Sequence, residues 1–118
     1  MLTGAAAVLT VADLPAALAY YERALGFQVT FRWGEPLTYA CLCRDEVQLH
    51  LAAAAITGRP PGQGHLCLFV RDADALHAEL QANGALIARP PQTYEYGMRE
   101  FTVTDADGNR LVYGMSSQ

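Results

Sequence analysis

The chain has 118 residues, which suits one domain with a modest core. It is 52% hydrophobic and 17% charged, which excludes a disordered chain. A net charge of −4 argues against nonspecific binding to nucleic acid or to an anionic membrane surface.

The N-terminal Gly4-Ala-Ala-Ala-Val-Leu is apolar but lacks a basic leader, and Asp13 interrupts it early. A targeting segment is therefore not expected, and no run approaches the roughly 20 apolar residues of a membrane span. Residues 5–11 alternate as a strand. Asp13 is placed to cap a helix, with Pro15 in its first turn, where a missing N–H costs little. Leu14, Ala17, Leu18, Tyr21 and Leu25 follow at helical spacing, and Gly26 suits the residue just past the helix end. Phe27–Arg32 reads as a second strand, Trp33–Pro36 as a turn, Leu37–Cys43 as a third strand and Val47–Leu51 as a fourth. Residues 52–64 change to an alanine run followed by Gly- and Pro-rich sequence, a linker by composition.

After the linker the pattern starts again. His65–Val70 reads as a strand, Asp72 as a cap, Leu76 and Leu80 as a helix, and Gly84 as its end. Ala85–Ala88 reads as a short strand and Arg89–Gln92 as a loop. Leu9, Val11 and Asp13 recur at one constant offset as Leu68, Val70 and Asp72. The expectation is an α+β fold of two βαβββ modules, residues 5–53 and 64–115, joined by a linker at 54–63. Each module is too small to bury both faces of its sheet. Paired, they would curve a mixed sheet around a cavity, with helices on the outer face.

Strand parity then sorts the side chains. Ala7, Leu9, Val11, Val47, Leu49, Leu51, Leu66, Leu68, Val70, Phe101, Val103, Leu111 and Tyr113 should face the helices. Ala6, Val8, Thr10, Gln48, His50, His65, Cys67, Phe69, Glu100, Thr102, Arg110 and Val112 should face the cavity. Trp33, Phe31, Tyr39, Tyr94 and Tyr96 lie near strand ends, where rings can stack on a flat ligand. The ligand-binding set expected is Trp33, Tyr39, His50, His65, Phe69, Tyr96, Glu100, Thr102 and Arg110. Cys41, Cys43 and Cys67 make an odd number with no CxxC pair. Cys41 and Cys43 are expected as small buried side chains, and the set fits a reducing cytoplasm. His77 is expected on an exposed helix face.

The closing stretch, Tyr96 to Gly114, is the most specific. Phe101 and Val103 alternate with polar residues, Asp105-Ala-Asp-Gly-Asn109 supplies a turn in which Gly108 takes positive φ freely, and Leu111 and Tyr113 return. Phe-Thr-Val-Thr-Asp-Ala-Asp-Gly-Asn-Arg-Leu resembles the C-terminal hairpin of the vicinal oxygen chelate superfamily, which includes glyoxalase I, bleomycin-resistance proteins and extradiol dioxygenases. That family often has Pro where this chain has Ala106. The likeness extends to Val8–Leu14, Tyr20–Phe27 and Gly64–Val70, and so covers nearly the whole chain.

The resemblance implies a dimer with strands or modules contributed by both chains. It also implies, for metal-using members, four ligand positions that map to Ala6, His50, His65 and Val112. Ala6 and Val112 offer no lone pair, and two imidazoles fall short of the three protein ligands of a catalytic zinc. If a metal were present, His50, His65 and Glu100 would have to hold it, and the histidines are otherwise hydrogen-bonding wall residues. No nucleophile-and-base pattern stands out. The expectation is a metal-free, cofactor-free protein resembling the bleomycin-resistance branch. It would sequester an amphipathic or cationic ligand, such as a bleomycin-like drug, at a homodimer interface. The alternative is a metal-dependent lyase, isomerase or dioxygenase in which a divalent ion polarises two vicinal oxygens.

Overall fold

A computed structural model describes Met1–Gln118. The first module runs β1 (Ala7–Val11), α1 (Leu14–Arg23), β2 (Gln28–Trp33), β3 (Tyr39–Arg44) and β4 (Val47–Ala53). A short helix, α2 (Ala54–Thr57), follows. The second module runs β5 (His65–Phe69), α3 (Ala73–Ala82), β6 (Leu86–Thr93), β7 (Met98–Thr104) and β8 (Arg110–Ser116). Each module builds its own four-stranded sheet, in the orders β1-β4-β3-β2 and β5-β8-β7-β6. In each, the first strand runs parallel to the last and the other pairs are antiparallel. This is the βαβββ repeat that the sequence predicts, made as two sheets with no ladder between them.

The caps form as their residue types dictate. Asp13 accepts from Ala16 N, with Pro15 in the first turn of α1, and Asp72 accepts from Ala75 N. The predicted linker is partly helical, because the alanine run closes one turn before Gly58 ends it in the left-handed region. The segment Arg89–Gln92, expected as a loop, continues β6. Pro90 and Pro91 are accommodated because β6 is an edge strand and its register breaks between Ile87 and Gln92.

The helix-facing residues of both sheets join α1 and α3 in one buried cluster. Leu9, Val11, Leu49 and Leu51 enter it from the first sheet, and Phe101, Val103, Leu111 and Tyr113 from the second. The modules therefore meet along their helix-bearing sides. Cys67 is exposed on the face its strand turns away from α3, as parity expects. Two expectations fail here. Cys41 and Cys43 are half-buried, not buried. His77 is half-buried, its ring edge-on to Phe101 at 5.4 Å.

The hairpin tip of β7-β8 locks the modules together. Asp105 is 5% exposed, and its Oδ1 accepts the backbone N–H groups of Asp107, Gly108 and Asn109. Its Oδ2 accepts from the Tyr21 hydroxyl at 2.8 Å and from Asn109 Nδ2 at 2.8 Å. Asn109, with no exposed surface, also donates to Thr10 O on β1 and accepts from Gly64 N. At the other end of the junction, Arg44 donates to Leu25 O and pairs with Glu79 of α3 at 2.8 Å. Gly26 makes room for it: a Cβ there would lie 2.6 Å from the guanidinium, and φ is +75°.

Asn109→Ala should strand Gly64 N and remove one of the two bonds accepted by Thr10 O and one of the two accepted by Asp105 Oδ2. Urea unfolding should then show a loss of about 2–4 kcal/mol. Alkali should also weaken the fold. Burial first, and for Tyr21 the neighbouring Asp105 charge next, raises Tyr20, Tyr21 and Tyr113 above the ordinary phenol value. Unfolded tyrosines ionise near pH ~10 while these remain protonated. Their contribution is therefore complete below pH ~10 and lost as pH rises from there toward the folded values. Urea midpoints measured from pH 8 to 11 should fall only above pH ~10.

Candidate functional site

Opposite the helices, each sheet has a second face, and the register assigns its residues. On the first sheet, Val8, His50, Cys41 and Phe31 form one row across β1, β4, β3 and β2. Thr10, Ala52, Tyr39 and Trp33 form the next. On the second sheet the rows are His65, Arg110, Thr104; then Cys67, Val112, Thr102, Arg89; then Phe69, Gly114, Glu100, Gln92. The parity expected from the sequence therefore holds for His50, His65, Phe69, Glu100, Thr102 and Arg110.

Trp33 is 65% exposed, Phe69 79% and Tyr96 66%. Phe31 and Val8 are exposed beside them. Large apolar side chains this open have nothing opposite them within the chain. The expected ligand residues thus fall into two groups, Trp33, Tyr39 and His50 on one sheet and His65, Phe69, Tyr96, Glu100, Thr102 and Arg110 on the other. Sequence reasoning missed Arg89 in the wall, because β6 was expected to end before it, and Gly114, which has no side chain to reveal its place.

Within the first group, the Tyr39 hydroxyl meets His50 Nδ1 at 2.7 Å. Burial, with Cys41 adding to it, raises the phenol's pKa, so Tyr39 stays neutral at physiological pH. Within the second, the rings of Tyr94 and Tyr96 stack at 5.3 Å, and Tyr96 Oη donates to Glu100 Oε1 at 2.7 Å. That bond holds the Tyr96 phenol up at about 12. Thr102 is nearly buried in the sheet, so only its edge reaches the face.

The residues do not fit a divalent metal. Of the four mapped positions, Ala6 and Val112 carry only carbon. No three His, Cys, Asp or Glu side chains converge closely enough to hold an ion. His50 and His65 stand on separate sheets, and the Glu100 row lies four residues along the strand from the His65 row, ~13 Å away. The set His50, His65 and Glu100 is therefore not assembled in the chain.

A cleft of about 760 Å³ opens elsewhere, at the Arg44 end of the module junction. Phe27, Val47, Leu68 and Tyr113 line it, under a rim of mixed charge. Phe69 alone belongs both to it and to the expected ligand set.

The sequence profile of the Glyoxalase/Bleomycin resistance protein/Dioxygenase superfamily matches residues 5–113. The chain belongs to that superfamily. Solved structures agree over nearly its full length. A superfamily member from Sphaerobacter thermophilus is 25% identical, covers 98% of both chains and has a TM-score of 0.82. A glyoxalase/bleomycin resistance protein from Catenulispora acidiphila is 32% identical over 94% of this chain and 96% of its own, with a TM-score of 0.75. The bleomycin-binding protein of bleomycin-producing Streptomyces verticillus, solved with copper(II)-bleomycin, is 27% identical over 96% and 95%, with a TM-score of 0.78. No match is found among curated proteins.

Proposed function

We propose that this superfamily member is a metal-free binding protein. It sequesters an amphipathic, cationic organic molecule, antibiotic-like in size and chemistry, in clefts at a homodimer interface. The observation that carries the reading is the pair of open, aromatic faces on separate sheets. Two copies related by a twofold axis would set the first sheet of one against the second sheet of its partner, making two equivalent clefts. Each cleft would combine apolar wall with a few polar groups, as small-molecule sites do. The Streptomyces verticillus relative, which binds bleomycin, supports the ligand class. A net charge of −4 draws cations by long-range attraction.

Chemistry has little support among the side chains. Histidine is engaged through the Tyr39 hydroxyl and through no Ser, Thr or Cys nucleophile. Ala6 and Val112 stand against the metal-dependent lyase or dioxygenase reading. Three free cysteines suit a reducing compartment, and we place the protein in the cytoplasm on that ground. No helix is long and apolar enough to cross a membrane.

Sedimentation should give the dimer mass. Calorimetry with metal-free bleomycin at low salt should give about one site per chain, and the drug should slow modification of Cys67 by a thiol reagent. A monomer that takes up neither bleomycin nor any other cationic aromatic drug would refute the reading. Separately, excess Zn²⁺ should leave the melting temperature unchanged, since an ion that bound the folded state would raise it. A rise that His65→Ala abolishes would instead favour the metalloenzyme.

A further inference from the structure

Resting on the cleft reading, we propose that Phe69, Tyr94, Tyr96 and Glu100, gathered around Gly114, form a seat for a substituted ammonium group. The row Phe69–Gly114–Glu100 crosses three adjacent strands on the open face of the second sheet. Phe69 and Glu100 therefore stand about two strand spacings apart, ~9.6 Å. Between them Gly114 carries no side chain, and the Glu100 and Met98 side chains fold over its backbone and bury it. A Cβ there would lie 3.1 Å from Glu100 Cγ, 3.3 Å from Met98 Cε and 3.5 Å from Glu100 Oε2. Glu100 thus reclines over the glycine, with its second oxygen above the Gly114 backbone.

The carboxylate is held but not neutralised. Its Oε1 accepts from Tyr96, while Oε2 has no hydrogen-bond partner. The chain's ion pairs, Arg32–Glu22, Arg44–Asp45, Arg44–Glu79 and Arg99–Asp74, leave Glu100 out. Arg89 acts on Tyr96 through space yet makes no ion pair with Glu100. The Tyr94–Tyr96 stack stands on one side and the 79%-exposed ring of Phe69 on the other. Aromatic faces attract cations through their quadrupoles, and a partly desolvated carboxylate beside them adds charge attraction. A tetraalkylammonium suits such walls because it has no N–H to satisfy. A hydrated inorganic ion does not, since Glu100 supplies the lone carboxylate.

The test compares benzyltrimethylammonium with its uncharged carbon isostere, neopentylbenzene, by NMR titration of the full-length protein. The seat predicts a preference for the cation of ~10-fold or more. Glu100→Gln should erase that preference and leave binding of the neutral probe intact. Gly114→Ala should weaken it with the carboxylate still present, by displacing the Glu100 side chain. Gly114 has no positive φ that would prevent folding of this variant. Equal binding of both probes by the native protein, or a preference that survives Glu100→Gln, would overturn the seat and leave the cleft standing. Failure of both probes to bind would overturn the seat, while the cleft stands or falls by the bleomycin calorimetry.

Discussion

The two halves of the chain are one body because of Asp105. Its carboxylate is buried, and burial of an unpaired charge would cost several kcal/mol. Five donors remove that penalty: three backbone N–H groups of its own turn, the Asn109 amide and the Tyr21 hydroxyl. The first three shape the hairpin tip, and Tyr21 fixes the tip onto α1. Asn109 carries the connection on to Thr10 of β1 and Gly64 before β5. Tyr20 adds a bond to Thr104 O and accepts from Leu86 N. The repeat places Arg44 at the corresponding hairpin of the first module, but its salt bridge to Glu79 is half-exposed and fills less space. A cleft of about 350 Å³ lies beside the Asp105 end, and a larger one of about 760 Å³ opens at the Arg44 end.

That mode of joining decides which sheet faces stay open. Because the helix-bearing sides pack on each other, each sheet is left with its other face to solvent. The residues on that face are larger and more aromatic than a solvated face requires: Phe31, Trp33, Phe69 and Tyr96. The lock and the open aromatic faces are thus two results of one packing choice. The open face of the second sheet is also the more polar, with Glu100, Arg89, Arg110 and His65 along its strands.

Most of the secondary structure and the facing of each strand were legible in the sequence, since period-two alternation needs only one residue to set it. Leu49 and His50 fell on opposite faces of β4 as parity required. Local rules failed where tertiary context overrode them. Pro90 and Pro91 read as a loop, but an edge strand needs no N–H on its outer side. His77 read as exposed, but Phe101 reaches it from the neighbouring sheet. Which sides of the two modules pack together was not legible either, because it depends on long-range contacts such as Tyr21–Asp105.

Pro90 and Pro91 also shape how copies of this chain meet. A bare sheet rim invites another strand to zip on, and repeated zipping yields fibrils. Two consecutive imino acids deprive the β6 rim of donors, and its shifted register spoils the spacing an incoming strand would need. The β1 and β5 rims have no such guard. Growth of the ladder is thereby steered away from one flank of the molecule, a bias toward closed, finite assemblies over endless ones.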